Sequence, residues 1–102
     1  MTRGEVWIAE AGRKRRPVLV LTRPDVIDVR RLVTVAEITT QIRGLAAEVP
    51  IVSEEIGLDQ PSVVNCDGLH TIRQSTMTRR VGSLPADTMR QVCWAVTYAL
   101  GC

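Results

Sequence analysis

The chain has 102 residues, enough for one packed core and too few for two. Its 45% apolar and 24% charged residues match a globular domain, and no apolar run approaches the roughly 20 residues that a membrane-crossing helix needs. The net charge of +2 hides an uneven distribution: residues 1–43 carry +4, residues 44–72 carry −5 without one Lys or Arg, and residues 73–102 carry +3.

Thirty-one residues are Val, Ile or Thr, gathered in short runs between Gly, Pro and charged clusters, which predicts a strand-rich fold. In chain order the strands are expected at Glu5–Ala9, Pro17–Thr22, Leu32–Thr39, Ala47–Val52, Ser62–Cys66, Leu69–Ile72 and Arg80–Val81. They are too short and too closely spaced for helical crossovers, so the sheet should be antiparallel and barrel-like. Gly12, Gly44, Gly57 and Gly68 fall between the runs, and Glu10–Arg15 and Ser53–Gln60 read as the flexible stretches.

The final segment changes period. Ser83 is placed to cap a helix, Pro85 falls in its first turn and Asp87 suits that end of the dipole. Met89, Val92, Cys93, Val96 and Leu100 then follow helical spacing, and Gly101 supplies the stop. Cys93 on that stripe reads as a small core residue, and Trp94 and Tyr98 as packing against the sheet in preference to a subunit interface.

Several chemistries are missing. Cys66, Cys93 and Cys102 are an odd number without C-x-x-C spacing, which with no signal-like start points to a reduced cytoplasm. His70 is the sole histidine, so a histidine metal cluster is impossible, and neither phosphate-binding glycine loops nor a G-x-S-x-G elbow occurs. No metal and no cofactor is expected. With three aromatic residues in the chain, base stacking of the kind used by sheet-based single-strand readers is scarce, so RNA would be held by arginine and polar contacts.

Three local patterns remain. Arg13-Lys14-Arg15-Arg16-Pro17 is a cationic cluster feeding the apolar run Val18–Leu21, and Pro17 restricts Arg16 to an extended conformation at the strand mouth. Taken alone it is equally a solvated loop. Twelve of the thirteen cations are Arg, which favours forked contacts with phosphate or carboxylate, or else reflects an arginine-rich coding composition. Ile38-Thr39-Thr40-Gln41 puts hydroxyls at a strand end, where they can donate to a phosphoryl oxygen or simply serve the strand. Asn65-Cys66-Asp67-Gly68, with His70 and Arg73 beyond, puts an acid and an imidazole in a strand–turn segment, where Asp before Gly is also an ordinary turn.

Together, R-G-E-V-W, R-P-V-L-V-L, V-A-E-I-T-T-Q-I, P-S-V-V-N-C-D and R-V-G-S-L-P-A-D-T-M resemble, in order from Arg3 to Leu100, the MazF/PemK/Kid toxins of bacterial toxin–antitoxin pairs. The resemblance implies a single toxin domain over residues 1–102, mainly β with a C-terminal α-helix, an SH3-like antiparallel barrel of the MazF/CcdB type. It also implies a homodimer acting as a metal-independent endoribonuclease on single-stranded RNA.

An acidic, MazE-like antitoxin is the implied partner, and operator DNA would be bound only through that complex. The family's principal catalytic positions fall on Arg16 and Thr39, and the acid–base Asp of the Kid-like branch on Asp67. Arg13, Lys14, Arg15, Thr40, Gln41, Asn65, His70 and Arg73 are the expected RNA contacts, Asn65 standing where that branch often has Arg. The loop between the first two strands is shorter than usual, leaving Glu10 as the nearest acid to a position that some members fill with a loop Glu. The rival expectation is a noncatalytic module: a CcdB-like gyrase-binding toxin or a nucleic-acid-binding barrel.

Overall fold

The computed structural model describes residues 1–11 and 14–102. Its strands are β1 (Glu5–Ala11), β2 (Lys14–Val20), β3 (Leu32–Thr39), β4 (Glu48–Ile51), β5 (Ser62–Arg73) and β6 (Met77–Ser83). They form one antiparallel sheet in the order β4-β5-β3-β2-β1-β6. One-turn α1 (Pro24–Ile27) lies between β2 and β3, and α2 (Ala86–Leu100) follows β6. Among the described residues, no hydrogen bonds join the sheet's two edge strands. A 3₁₀ turn at Ser53–Ile56, just after β4, instead packs on β6, with Ile56 backbone atoms within 3.0–3.3 Å of where a Gly82 Cβ would lie. The sheet therefore curls barrel-like without closing.

Burial on both faces explains the continuous apolar run Val18-Leu19-Val20. Val6, Leu19, Ala36, Ile38, Val64 and Cys66 point to a core roofed by α2 through Val92 and Ala95. Ala9, Val18, Val20, Val33, Val35 and Met77 point the other way, to a smaller core that includes Ile27 of α1 and half-buried Trp7 and Ile72. Side chains alternate along a strand, so a central strand between two cores cannot show polar alternation.

Several expectations are corrected. The two strands expected at Ser62–Cys66 and Leu69–Ile72 are one strand, β5, carrying a bulge: Ala36 pairs with Leu69 but Glu37 with Asn65, so Cys66, Asp67 and Gly68 intervene where β3 advances by one. The two residues expected at Arg80–Val81 belong to the seven of β6, whose Thr78, Arg79 and Arg80 are exposed because it is an edge strand. Cationic side chains there discourage pairing with another sheet. Short α1 has too few residues for any periodicity to reveal. Of the stretches expected to be flexible, Glu10 and Arg15 are paired strand residues joined by a 3.1 Å ion pair, while Gly12 and Arg13 lie outside the described residues, and Ser53–Ile56 forms a 3₁₀ turn that buries Ser53 and Ile56.

The helix differs in its start and its rotation. Pro85 occupies the N-cap with no side-chain cap, so Ser83 does not cap it. Gly101 does stop it, with φ 74° and its N–H returned to Thr97 and Tyr98 carbonyls. The face on the sheet is Val92 and Ala95, flanked by Met89, Val96 and Ala99, whereas Cys93 and Leu100 are exposed. Two stripes one position apart were available, and the one containing alanines lets the backbone lie close to the sheet. Trp94 (80% exposed) and Tyr98 (62%) consequently point to solvent beside β4 and do not pack on the sheet.

Candidate active site

The smaller core's face turns polar toward one end of the central strands. Along β3 the residues on this face run Val33, Val35, Glu37, Thr39, along β2 Val20, Val18, Arg16, and along β5 Ile72, His70. Val18 is paired with Glu37 at the end of the β2–β3 ladder, and Arg16 and Thr39 are the next residues on the same face of their strands. The strand chemistry that buries the core thus also delivers a cation, an acid and an imidazole to one place.

Glu37 is the centre of that place. Its Oε1 lies 2.9 Å from His70 Nε2 and 3.9 Å from Arg16 Nη1. The three side chains, with Lys14, rim a cavity of about 320 Å³ whose floor is Ala9, Val18, Val35 and Ile72. Arg16 remains half-exposed and its contact to Glu37 is long, so most of its fork is free for an anion. Gly68 in the bulge leaves room for this carboxylate: a Cβ there would sit 2.5 Å from Glu37 Oε2 and 3.1 Å from Asn65 Nδ2, so the side chains would have to move. Asn65, paired with Glu37 across the ladder, also accepts the Asp67 N–H through Oδ1 at 3.1 Å, which holds the bulge's shape.

Thr39 Oγ1 accepts the Gln41 N–H at 3.1 Å. A hydroxyl so engaged as acceptor keeps its own proton for donation to another oxygen. Thr40 and Gln41 are exposed just beyond the end of β3, and Asp67 is exposed in the bulge.

Not all expected residues converge. Arg15 faces away from Arg16 and is tied to Glu10. Arg73, opposite Leu32 at the far end of the β3–β5 ladder, lines a different, larger groove with Arg30 and Arg31. Arg13 lies outside the described residues. Glu37 has no role among the sequence expectations; the available signal was an acid at an inward position of a strand whose two preceding inward residues are Val33 and Val35.

Behind the bulge, on the opposite face, Cys66 is buried among apolar residues, with its thiol 4.0 Å from the Val92 carbonyl oxygen. Burial first, then the charges of Asp67 and Cys93, pushes this thiol up from 9.0 to about 11. It is therefore a packing group. Among the described residues, no three His, Cys, Asp or Glu side chains are grouped to hold a metal, and no helix is long and apolar enough to cross a membrane.

The family described as PemK-like, MazF-like toxin of type II toxin-antitoxin system matches residues 2–100. A curated relative, the probable endoribonuclease MazF5 of Mycobacterium tuberculosis, is 40% identical over 103 residues, covering 98% of this chain and 93% of that protein. The solved toxin MazF-mt6 of M. tuberculosis superposes with a TM-score of 0.89 at 43% identity, covering 95% and 96% of the two chains. A MazE–MazF crystal structure from Deinococcus radiodurans matches with a TM-score of 0.82 at 25% identity, over 99% and 95%.

Proposed function

The chain belongs to the PemK-like, MazF-like toxins of type II toxin–antitoxin systems, and from that premise we propose that it is a sequence-specific, metal-independent endoribonuclease that cuts single-stranded RNA and so arrests translation and growth. The observation that carries the reading is the convergence of Arg16, Glu37 and His70 in a cleft beside Thr39. Its members are the groups that a phosphoryl transfer without a metal requires. Relatives named as endoribonucleases support the reaction class, and the MazE–MazF structure supports an acidic antitoxin as partner. The chain acts as a homodimer in this reading and reaches operator DNA only within the antitoxin complex.

RNA carries its own nucleophile. The ribose 2′-OH adjoins the phosphate, so transesterification is intramolecular and the protein need only move protons and stabilise charge. Arg16 binds the phosphoryl oxygens as negative charge grows, and Thr39 donates its hydroxyl proton to a nonbridging oxygen. The acid–base candidates are His70, on the rim of the cleft, and Asp67, on the exposed bulge. Lys14, Thr40, Gln41 and Asn65 extend the contact surface along the strand.

The products are a 2′,3′-cyclic phosphate and a 5′-hydroxyl end. Mapping the ends made on total RNA in EDTA tests activity, metal independence and sequence preference together. Arg16→Ala is expected to lower cleavage by about 10²–10³, the scale of losing one transition-state donor. Undiminished cleavage by that variant, or cutting of all-DNA oligonucleotides, overturns the site. Growth arrest by Arg16→Ala with stalled DNA replication would favour the gyrase-binding rival. Sedimentation at twice the monomer mass checks the dimer.

A further inference from the structure

We infer that Glu37 is the positioning residue of a Glu37–His70 dyad: it fixes the imidazole with its proton on Nε2 and leaves Nδ1 as the nitrogen that takes the 2′-hydroxyl proton. The catalytic half of this inference rests on the nuclease reading, whereas the dyad itself does not.

An ionised carboxylate has no proton to give, so across the 2.9 Å Oε1–Nε2 contact the imidazole must be the donor. In neutral His70 that places the only ring proton on Nε2, and Nδ1 keeps its lone pair. The side chain of His70 is half-exposed at the rim of the cavity, so Nδ1 is open to a bound substrate. A second observation concerns the room given to the carboxylate. The β5 bulge and Gly68 make room for Glu37 Oε2 in a space any Cβ would occupy. Arg16 Nη1 lies 3.9 Å from Glu37 Oε1 in the same cleft. The other charged groups around His70 are Lys14 on the cavity rim and Asp67 on its own strand.

In the reaction, Nδ1 accepts the 2′ proton as the O2′–P bond forms and the P–O5′ bond breaks. The departing 5′ oxygen takes a proton from a solvent water, and the imidazolium returns its proton to the hydroxide so formed. Glu37 stays ionised throughout, facing the positive ring that forms in mid-reaction.

Because the chain has one histidine, ¹⁵N spectra of uniformly labelled protein report its tautomer without assignment. The wild type is expected to show neutral His70 as the Nε2–H tautomer. Glu37→Gln, whose amide both donates and accepts, should lose that preference and lower kcat by about 10–100-fold with little change in KM. Gly68→Ala, which crowds the carboxylate without altering either partner, should also lose it, and Glu37→Asp should recover part of it. In a His70→Ala background, Glu37→Gln should cost nothing further. The same tautomer ratio in wild type and Glu37→Gln, or losses that multiply in the double variant, would overturn the dyad. A wild type that shows the Nε2–H tautomer yet leaves RNA intact supports the dyad and overturns the nuclease reading.

Discussion

Glu37 and Cys66 show how differently two potentially reactive side chains on adjoining strands are used. Glu37 stands in an open cleft between a guanidinium and an imidazole, whereas Cys66 lies in the apolar core with its thiol raised to about 11. At pH 8 a thiol reagent should therefore modify exposed Cys93 and Cys102 in the folded protein and reach Cys66 only on unfolding. The same shift sets an alkaline limit. Below pH 9 the thiol is neutral in both states, and between 9 and about 11 only the unfolded state ionises, so stability should fall through that window in denaturant titrations. Glu5 supplies the acid limb: burial raises its pKa, but the Thr2 N–H, Arg80 and Trp7 outweigh this and hold it below 4.5. Its contribution is complete above 4.5 and is lost as pH falls through the lowered folded value, and Glu5→Gln should flatten that limb of the stability curve.

Among the elements, the junction of β6 with the 3₁₀ turn is the most constrained. A Cβ on Gly82 would meet three backbone atoms of Ile56 at 3.0–3.3 Å, and Ile56 is itself buried in the core. Backbone cannot rotate aside as a side chain can, so Gly82→Ala should destabilise by about 1–3 kcal/mol, read as a lower denaturant midpoint. Trp94→Ser, on the exposed face of α2, should leave the stability of an isolated protomer within about 0.5 kcal/mol. Helix existence was legible from the period and from Gly101, but its rotation was not: Cys93 and Ala95 compete for the sheet on packing distance, which hydrophobic spacing does not measure. The split reading of β5 has a similar cause. Asp67-Gly68 has turn chemistry, and only pairing with β3 on one side and β4 on the other keeps the segment in one strand as a bulge.

Across the whole molecule, the segmental charges take on a spatial meaning. Lys14 and Arg16 from the basic N-terminal segment meet the acidic middle segment where β5 crosses β3, while Arg30, Arg31 and Arg73 gather at another groove. Binding of RNA phosphates by such cations should weaken linearly in log Kd against log salt, with a slope of about 0.7 per phosphate neutralised on a single strand. Lys14→Ala should reduce that slope by roughly 0.7 in filter-binding titrations, and an unchanged slope would remove Lys14 from the RNA path.

Local chain chemistry settled a strand-rich fold ending in a helix, and Thr39 at the end of β3, because these follow from composition, period and the neighbours of each residue. Which residues meet was decided by the tertiary structure alone. Alternation tells which side chains share a face of one strand, but the partner across the ladder depends on register between residues some thirty positions apart, and a three-residue bulge resets it between Ala36 and Glu37. The pairs Val18–Glu37 and Val35–His70 put Glu37 between Arg16 and His70, and the reset sets Asn65 in place of Gly68 opposite Glu37, while strand alternation and ladder position direct Arg15 and Arg73 elsewhere.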